Sequence, residues 1–340
     1  MGFILQVKNL QIGYKTAKGE ARAVDGVSFD LEGGEYLGLV GESGCGKSTI
    51  AKAVLGILPS NAHVGGSMKY CDTELVGISR GSMRRLRWSE ISMIPQSAMD
   101  GFDPVYTVEQ QLDEAITAHA LMPIEQRRAR VEELFRMVGI EPKRMKDYPH
   151  QFSGGMRQRA MIAMAMVLDP RLIIADEPTT GLDVIVQDQI LQRIRKIHLE
   201  QDKTMLLITH DMAVVAENCD RIIVMYAGKI MEYGRDAVFR QPFHPYTLGL
   251  CSAFPDLDDR ERDLISIPGS PPSLVNPPVG CRFAPRCPFA TDLCGKEAPP
   301  LVEVGPDHVA ACHYVDRVNE FRRLSKDPDT WRNIGAPALE

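Results

Sequence analysis

No run of about 18 uninterrupted apolar residues, the length a membrane-spanning helix needs, occurs in this sequence. The richest stretch, Leu206 to Tyr226, is broken by His210, Asp211, Glu217, Asp220 and Arg221. Met1–Gln11 also lacks the basic and long apolar blocks of a secretory signal. A cytosolic chain is expected, one that meets a membrane only through a partner. An excess of positive charge is missing too, since 39 Lys and Arg stand against 45 Asp and Glu for a formal net charge of -6. A broad electrostatic grip on nucleic acid is thereby disfavoured, despite the local stripe Arg84, Arg85 and Arg87. Internal repeats, a long coiled coil and a basic arm are likewise not visible.

What is present is a chain of 340 residues, 44% hydrophobic and 25% charged. That is enough to bury a large core, in one big domain plus an appendage or in two domains. From Gly2 to about Arg235, short β-rich runs alternate with helical ones, the pattern of an α/β domain. Strands are predicted at Leu5–Ile12, Gly26–Leu31, Tyr36–Val40, Ile91–Ile94, Leu172–Asp176, Thr204–Ile208 and Arg221–Tyr226. Helices are predicted at Lys47–Leu58, Val108–His119, Ile124–Val138, Gly155–Leu168, Val184–Leu199 and Met212–Cys219. Past Gln241 prolines crowd the chain from Pro242 to Pro288 and leave little room for long helices or central strands. The expected organisation is a main domain over 1–240, a separate module over 241–325 that is loop-rich from Phe243 to about Tyr314, and a polar tail over 326–340.

The segment Gly41-Glu-Ser43-Gly44-Cys45-Gly46-Lys47-Ser48-Thr49 follows an apolar strand and opens a helix. That context makes it a P-loop. Glycines let backbone N–H groups converge on phosphate oxygens, and the helix N-terminus adds its positive dipole end. Lys47 supplies charge for the β- and γ-phosphates, Ser48 a hydroxyl for Mg²⁺, and Thr49 a contact nearer the α-phosphate. Cys45 reads first as a small filler, although a thiol at a helix N-terminus can be acidified. The strand Leu172–Asp176 ends in two acids, of which Asp176 suits Mg²⁺ and Glu177 suits a general base. By itself such an ending is common; with a P-loop upstream the functional reading prevails.

Between these motifs stands Phe152-Ser153-Gly154-Gly155-Met156-Arg157-Gln158-Arg159, and here the sequence resembles the ATP-binding-cassette (ABC) ATPases. The likeness extends to Gln96, to Gly181-Leu182-Asp183 and to Thr209-His210-Asp211, in order and in spacing. The resemblance implies an α/β P-loop NTPase of ABC type. Its features would be a mixed central sheet with helices, an antiparallel β subdomain and a helical signature subdomain over about 98–168. It further implies that Tyr14 stacks on adenine, that Gln96 senses Mg²⁺, and that His210 contacts the γ-phosphate. Ser153, Gly154 and Gly155 of one cassette would close over the ATP of another, with Asp183 at the same seam. Met156 departs from the general pattern, which has glutamine there. Because Lys47, Asp176, Glu177 and His210 are all present, a regulatory module with a dead site is disfavoured. A soluble ABC ATPase of DNA repair or translation is disfavoured by the missing coiled coil, basic arm and second cassette.

The segments Phe243-His-Pro-Tyr-Thr247, Ser252-Ala-Phe-Pro255, Ile267–Ser273 and Gly280–Pro288 resemble the C-terminal extension of the oligopeptide/dipeptide importer ATPases. That branch also serves nickel and some oligosaccharides. The resemblance implies two permease subunits, a second cassette, an extracytoplasmic substrate-binding protein and a place on the cytoplasmic face of the inner membrane. Of eight cysteines, Cys281, Cys287, Cys294 and Cys312 cluster, with gaps of five, six and 17 residues. These gaps exceed those of zinc knuckles and fit a [4Fe–4S] cluster better, a cofactor the branch implies; Zn²⁺ or plain reduced thiols are the alternatives. His313 is a spare ligand candidate.

Overall fold

A computed structural model describes residues 2–96, 101–253 and 266–332. The N-terminal strands β1 (Phe3–Thr16) and β2 (Gly19–Glu32) pair antiparallel across a tight turn. They are followed by β3 (Tyr36–Val40), β4 (Ala62–Tyr70), β5 (Thr73–Glu74), β6 (Ile91–Ile94), β7 (Leu172–Asp176), β8 (Thr204–Thr209), β9 (Arg221–Tyr226), β10 (Lys229–Gly234), β11 (Val302–Gly305) and β12 (His308–Ala310). One sheet is antiparallel, in the order β2-β1-β4-β5. The other has eight strands, in the order β11-β12-β10-β9-β3-β8-β7-β6. Its strands from β9 to β6 are parallel, and antiparallel β10, β12 and β11 complete it.

The parallel strands read as unbroken apolar runs because both faces are covered. Alternate residues of β7 go to opposite sides, as the period-2 geometry demands. Leu172 and Ile174 join the core under helix Lys47–Val54 and the antiparallel sheet, while Ile173 and Ala175 join the core of the helical arm. The arm consists of helices Val108–Thr117, Ile124–Met137 and Gly154–Ala165, with Val184–Gln201 against it. The mixed central sheet, antiparallel sheet and helical arm expected from the family resemblance are all present.

Local departures have local causes. The helix predicted to run to Leu58 stops at Val54, because Gly56 turns left-handed (φ 60°) and Ile57 N–H reaches back to the Lys52 carbonyl. Strand β4 escapes sequence reading because Gly65 and Gly66 dilute its pattern and a register shift interrupts its pairing with β1. Past Gln241 the chain is indeed rich in loops, yet hairpin β11–β12 continues the central sheet: Glu232 pairs with Ala310 and Tyr233 with Val309. Fully buried Glu232 fastens the same junction. Its carboxylate accepts from Phe243 N–H (2.8 Å) and His244 N–H (2.9 Å), and it meets His308 Nε2 at 2.7 Å. Residues 333–340 of the expected tail lie outside the described residues, as do Phe254 and Pro255 of the extension motif.

Candidate functional site: the cleft at the strand ends

The register of the parallel strands brings the motifs together. Val40 pairs with Thr209, Asp176 with Ile208 and Ile94 with Ala175, so the carboxyl ends of β3, β8, β7 and β6 form one row. The P-loop, His210, Glu177 and Gln96 follow those ends directly, at the edge where open α/β sheets bind ligands. An open cleft of about 400 Å³ there is lined by Glu42, Ser43, Glu177, His210 and Leu250.

Within the loop, Gly46 precedes the helix with φ 108°, and a Cβ there would sit 2.2 Å from the Ala23 carbonyl oxygen. Only glycine fits that approach. Ser43 and Gly44 face solvent, and Lys47 is buried with Nζ donating to the carbonyls of Gly41 (2.6 Å) and Glu42 (3.1 Å). Ser48 Oγ donates to Asp176 Oδ1 at 2.9 Å, which joins the two residues expected to flank Mg²⁺. Burial, together with the neighbouring Glu177 charge and against the Ser48 hydrogen bond, raises the Asp176 carboxyl above its ordinary range. Paired oxygens in a desolvated corner are hard donors of the kind Mg²⁺ prefers. Tyr14, half-buried on β1, donates through its hydroxyl to Thr49 Oγ1 at 3.2 Å.

Cys45 is a packed filler. Its thiol is pushed up by burial, and the adjacent Lys47 ammonium offsets only part of that. An acidified thiol is therefore not what the loop provides.

Glu177 occupies the left-handed region with φ 45°, unusual for a side-chain-bearing residue and a place where functional sites hold strain. Its N–H donates to the Ile208 carbonyl at 2.7 Å, which fixes that turn against β8. The carboxylate faces the cleft: Gln96 Nε2 and Thr180 Oγ1 donate to Oε2 at 2.9 and 3.0 Å, and His210 Nδ1 stands 3.5 Å from Oε1. Gln96 and His210, on different loops, thus meet on the candidate base.

The signature turn lies elsewhere. Ser153 caps helix Gly154–Ala165 by accepting from Met156 N–H at 3.3 Å, while Gly155 packs so closely that a Cβ would come within 2.7 Å of Val186. Asp183 caps the next helix by accepting from Val186 N–H at 3.0 Å. Among the described residues, the hydrogen bonds of Ser153 and Gly155 stay within their own helix and none joins them to Gly41–Thr49.

Residues 24–180 match the family model described as ABC transporter, and residues 231–294 match the one described as oligopeptide/dipeptide transporter, C-terminal region. The chain is 46% identical over 316 residues to the oligopeptide transport ATP-binding protein OppD of Escherichia coli, a match covering 91% of this chain and 92% of that one. The chain belongs to the ABC ATPases. With the dipeptide transport ATP-binding protein DppD of Bacillus subtilis this ABC ATPase is 44% identical over 329 residues, 95% of its own length and 98% of the relative's. Among solved structures it resembles the dimeric, post-hydrolysis ATP-binding cassette MJ0796 bound to ADP and Pi, with a TM-score of 0.62 and 27% identity over 68% of this chain and 98% of that one. It also resembles cbiO1 of Clostridium perfringens, part of the transporter complex cbiONQ, with a TM-score of 0.61 and 28% identity over 71% and 92% of the two chains.

The four clustered cysteines of this ABC ATPase line one cavity, walled by His244, Phe283, Phe289, His313 and Phe321 among others. None is in a disulfide. Burial raises the Cys281 and Cys287 thiols and pushes Cys312 up to about 11, and the neighbouring sulfurs add to the rise. Polar neighbours sit around them: Tyr314 N–H donates to Cys312 Sγ (3.4 Å) and Thr291 Oγ1 lies 3.7 Å from Cys294 Sγ. His313 Nε2 instead meets the Glu297 carbonyl at 2.9 Å. Among the described residues no three His, Cys, Asp or Glu side chains are grouped so as to hold a metal ion. No helix among them is long and apolar enough to cross a membrane.

Sequence reasoning passed over Glu42, Tyr246, Leu250 and Arg286. Helix Pro245–Ser252 carries Tyr246 and Leu250 to the P-loop and the cleft, a contact with no local sequence signal.

Proposed function

We propose that this chain binds and hydrolyses ATP to energise the import of oligopeptides or dipeptides. It would do so as one of two cassettes beneath two permease subunits, on the cytoplasmic face of the inner membrane, with an extracytoplasmic protein delivering the cargo. The observation that carries the reading is the meeting of Gln96, Glu177 and His210 at the mouth of the P-loop cleft. In this reading Glu177 accepts the proton of the attacking water, Gln96 and Thr180 hold its carboxylate in place, and His210 faces the γ-phosphate. Ser48 and Asp176, with Gln96 nearby, would hold Mg²⁺, which neutralises charge developing on the phosphate oxygens when bound.

Among the described residues no hydrogen bond joins Ser153, Gly154 or Gly155 to the P-loop of their own chain, which supports a head-to-tail pair in which they complete the other cassette's site, Asp183 lying at the seam. Its likeness to oligopeptide and dipeptide transport ATP-binding proteins favours peptides over nickel or oligosaccharides as cargo. Nucleic acid has no place in this account.

We propose that the four clustered cysteines hold a [4Fe–4S] cluster, with Zn²⁺ or plain reduced thiols as the alternatives. One Zn²⁺ draws its thiolates to about 2.3 Å, whereas a cluster spreads four of them around a larger body. Four free cysteine side chains, those of Cys281 and Cys294 buried and those of Cys287 and Cys312 partly so, line one cavity, which is the observation this reading rests on. Cys281, Cys287, Cys294 and Cys312 would be its ligands, and its role that of a folding staple or a regulatory sensor. A colourless, iron-free protein purified without oxygen would refute the cluster.

The decisive experiment purifies the native complex, identifies its other chains and measures peptide uptake into vesicles with ATP inside. Co-purification with polytopic subunits and ATP-dependent uptake are expected. DNA-stimulated hydrolysis without membrane partners, or a nucleotide-trapped protein that stays monomeric at saturating ATP, defeats the reading.

A further inference from the structure

The P-loop is gripped from outside the cassette at a residue to which none of the motifs gives a role. Glu42, the second residue of the loop, places both carboxylate oxygens on one guanidinium: Arg286 Nη1 donates to Oε2 at 2.7 Å and Nη2 to Oε1 at 3.1 Å. Arg286 is only 5% exposed and is fixed independently of Glu42. Its Nε donates to the Pro268 carbonyl (2.8 Å), Nη2 to those of Ile267 (3.1 Å) and Gly269 (3.3 Å), and Nη1 to Tyr226 Oη (3.1 Å).

The main chain of Glu42 is held from the same side, its N–H donating to Tyr246 Oη at 2.9 Å. Its carbonyl in turn accepts from Lys47 Nζ (3.1 Å) and Cys45 N–H (3.3 Å). The extension therefore fastens Glu42 at two points, and Glu42 fastens the lysine meant for phosphate. A bidentate Arg–carboxylate pair fixes orientation as well as distance, and here it acts on a glycine-rich loop that would otherwise sample many conformations.

We propose that Arg286 is a positioning residue of the nucleotide site. Through Glu42 the C-terminal extension braces the P-loop, so that the loop's amides and Lys47 are ordered before the triphosphate arrives and less ordering is left for binding to supply. This rests on the ATP reading above and assigns the extension a task in it beyond housing the cysteines.

The test measures MgATP affinity by titration calorimetry and thermal stability for the full chain, for Arg286→Ala, Arg286→Lys, Glu42→Ala and Glu42→Gln, and for the double alanine variant. Arg286→Ala is expected to weaken MgATP binding about 10-fold, Arg286→Lys to recover part of the loss, and the double variant to be no weaker than the weaker single one. Such non-additivity is the signature of action through Glu42, which a merely structural arginine lacks. Wild-type affinity in Arg286→Ala, or losses at the two positions that simply add, overturns the proposal. If Arg286→Ala does not fold, the milder pair Arg286→Lys and Glu42→Gln decides, and unchanged affinity in both overturns it. A wild-type chain that binds no MgATP removes the ATP reading and this proposal together, whereas binding indifferent to Arg286 removes this proposal alone.

Discussion

In the P-loop the polar groups include backbone amides, the buried Lys47 and the half-buried Glu42, both of whose side chains are held by hydrogen bonds. In the cysteine cavity the same chain gathers four thiols behind aromatic walls, where burial raises the pKa values of Cys281, Cys287 and Cys312. The first site is contiguous and its spacing alone specifies it. The second is assembled from residues 281 to 312 by loops, short helices and a hairpin that borrows its pairing from β10. A site made of backbone needs glycines at fixed positions, whereas a site made of side chains needs a scaffold. Here the cassette is that scaffold, and through Arg286 the extension supports the cassette in return.

The sharpest separation of the two regions comes from Glu177→Gln. It is expected to lower ATP turnover by roughly 10²–10⁴-fold with nucleotide binding retained and the cavity untouched, as loss of a general base predicts. Near-normal steady-state hydrolysis by that variant removes Glu177 from the mechanism.

Phe283 tests whether the regions are welded. Its ring is fully buried and packs on Tyr226 of β9 (5.3 Å) and on Tyr246 (5.3 Å). Phe283→Ala should cost about 3–5 kcal/mol, and urea unfolding followed by two probes should show one displaced transition. Two separated transitions, with the cassette's unmoved, would mean that the extension folds on its own.

Thiol labelling contrasts the loop with the surface. Because Cys45 is 1% exposed whereas Cys71 is partly exposed, native alkylation at Cys45 should run at least about 10-fold slower than at Cys71. Mass-spectrometric mapping of the labelled sites checks this, and equal rates would show a loop that opens readily.

The smallest effect belongs to the helix after β8. Asp211 caps Met212–Asn218 by accepting from Ala213 N–H (2.9 Å) and Val214 N–H (3.3 Å), so Asp211→Ala should cost about 1 kcal/mol by chemical denaturation. A loss several times larger would indicate that the cap also holds the His210 turn.

The strands Tyr36–Val40, Ile91–Ile94, Leu172–Asp176 and Arg221–Tyr226 were legible to the residue, because buried parallel strands are short apolar runs with sharp ends. Strand β10 was not, as it mixes Lys229, Glu232 and Tyr233 into a pattern that only its neighbours justify. Glu232 shows why: a fully buried carboxylate makes sense only once two backbone N–H groups and His308 are seen to converge on it.

By itself the sequence determined the family, the parallel core and the phosphate chemistry, since glycine spacing, hydrophobic runs and a cap at a helix start act over a few residues and are written in consecutive letters. Only the tertiary structure decided that β11–β12 extends the central sheet and that Gln96 and His210 meet on Glu177. It alone also placed Arg286 on Glu42. Those contacts join residues far apart in the chain, and their energies depend on burial and geometry that no local stretch encodes.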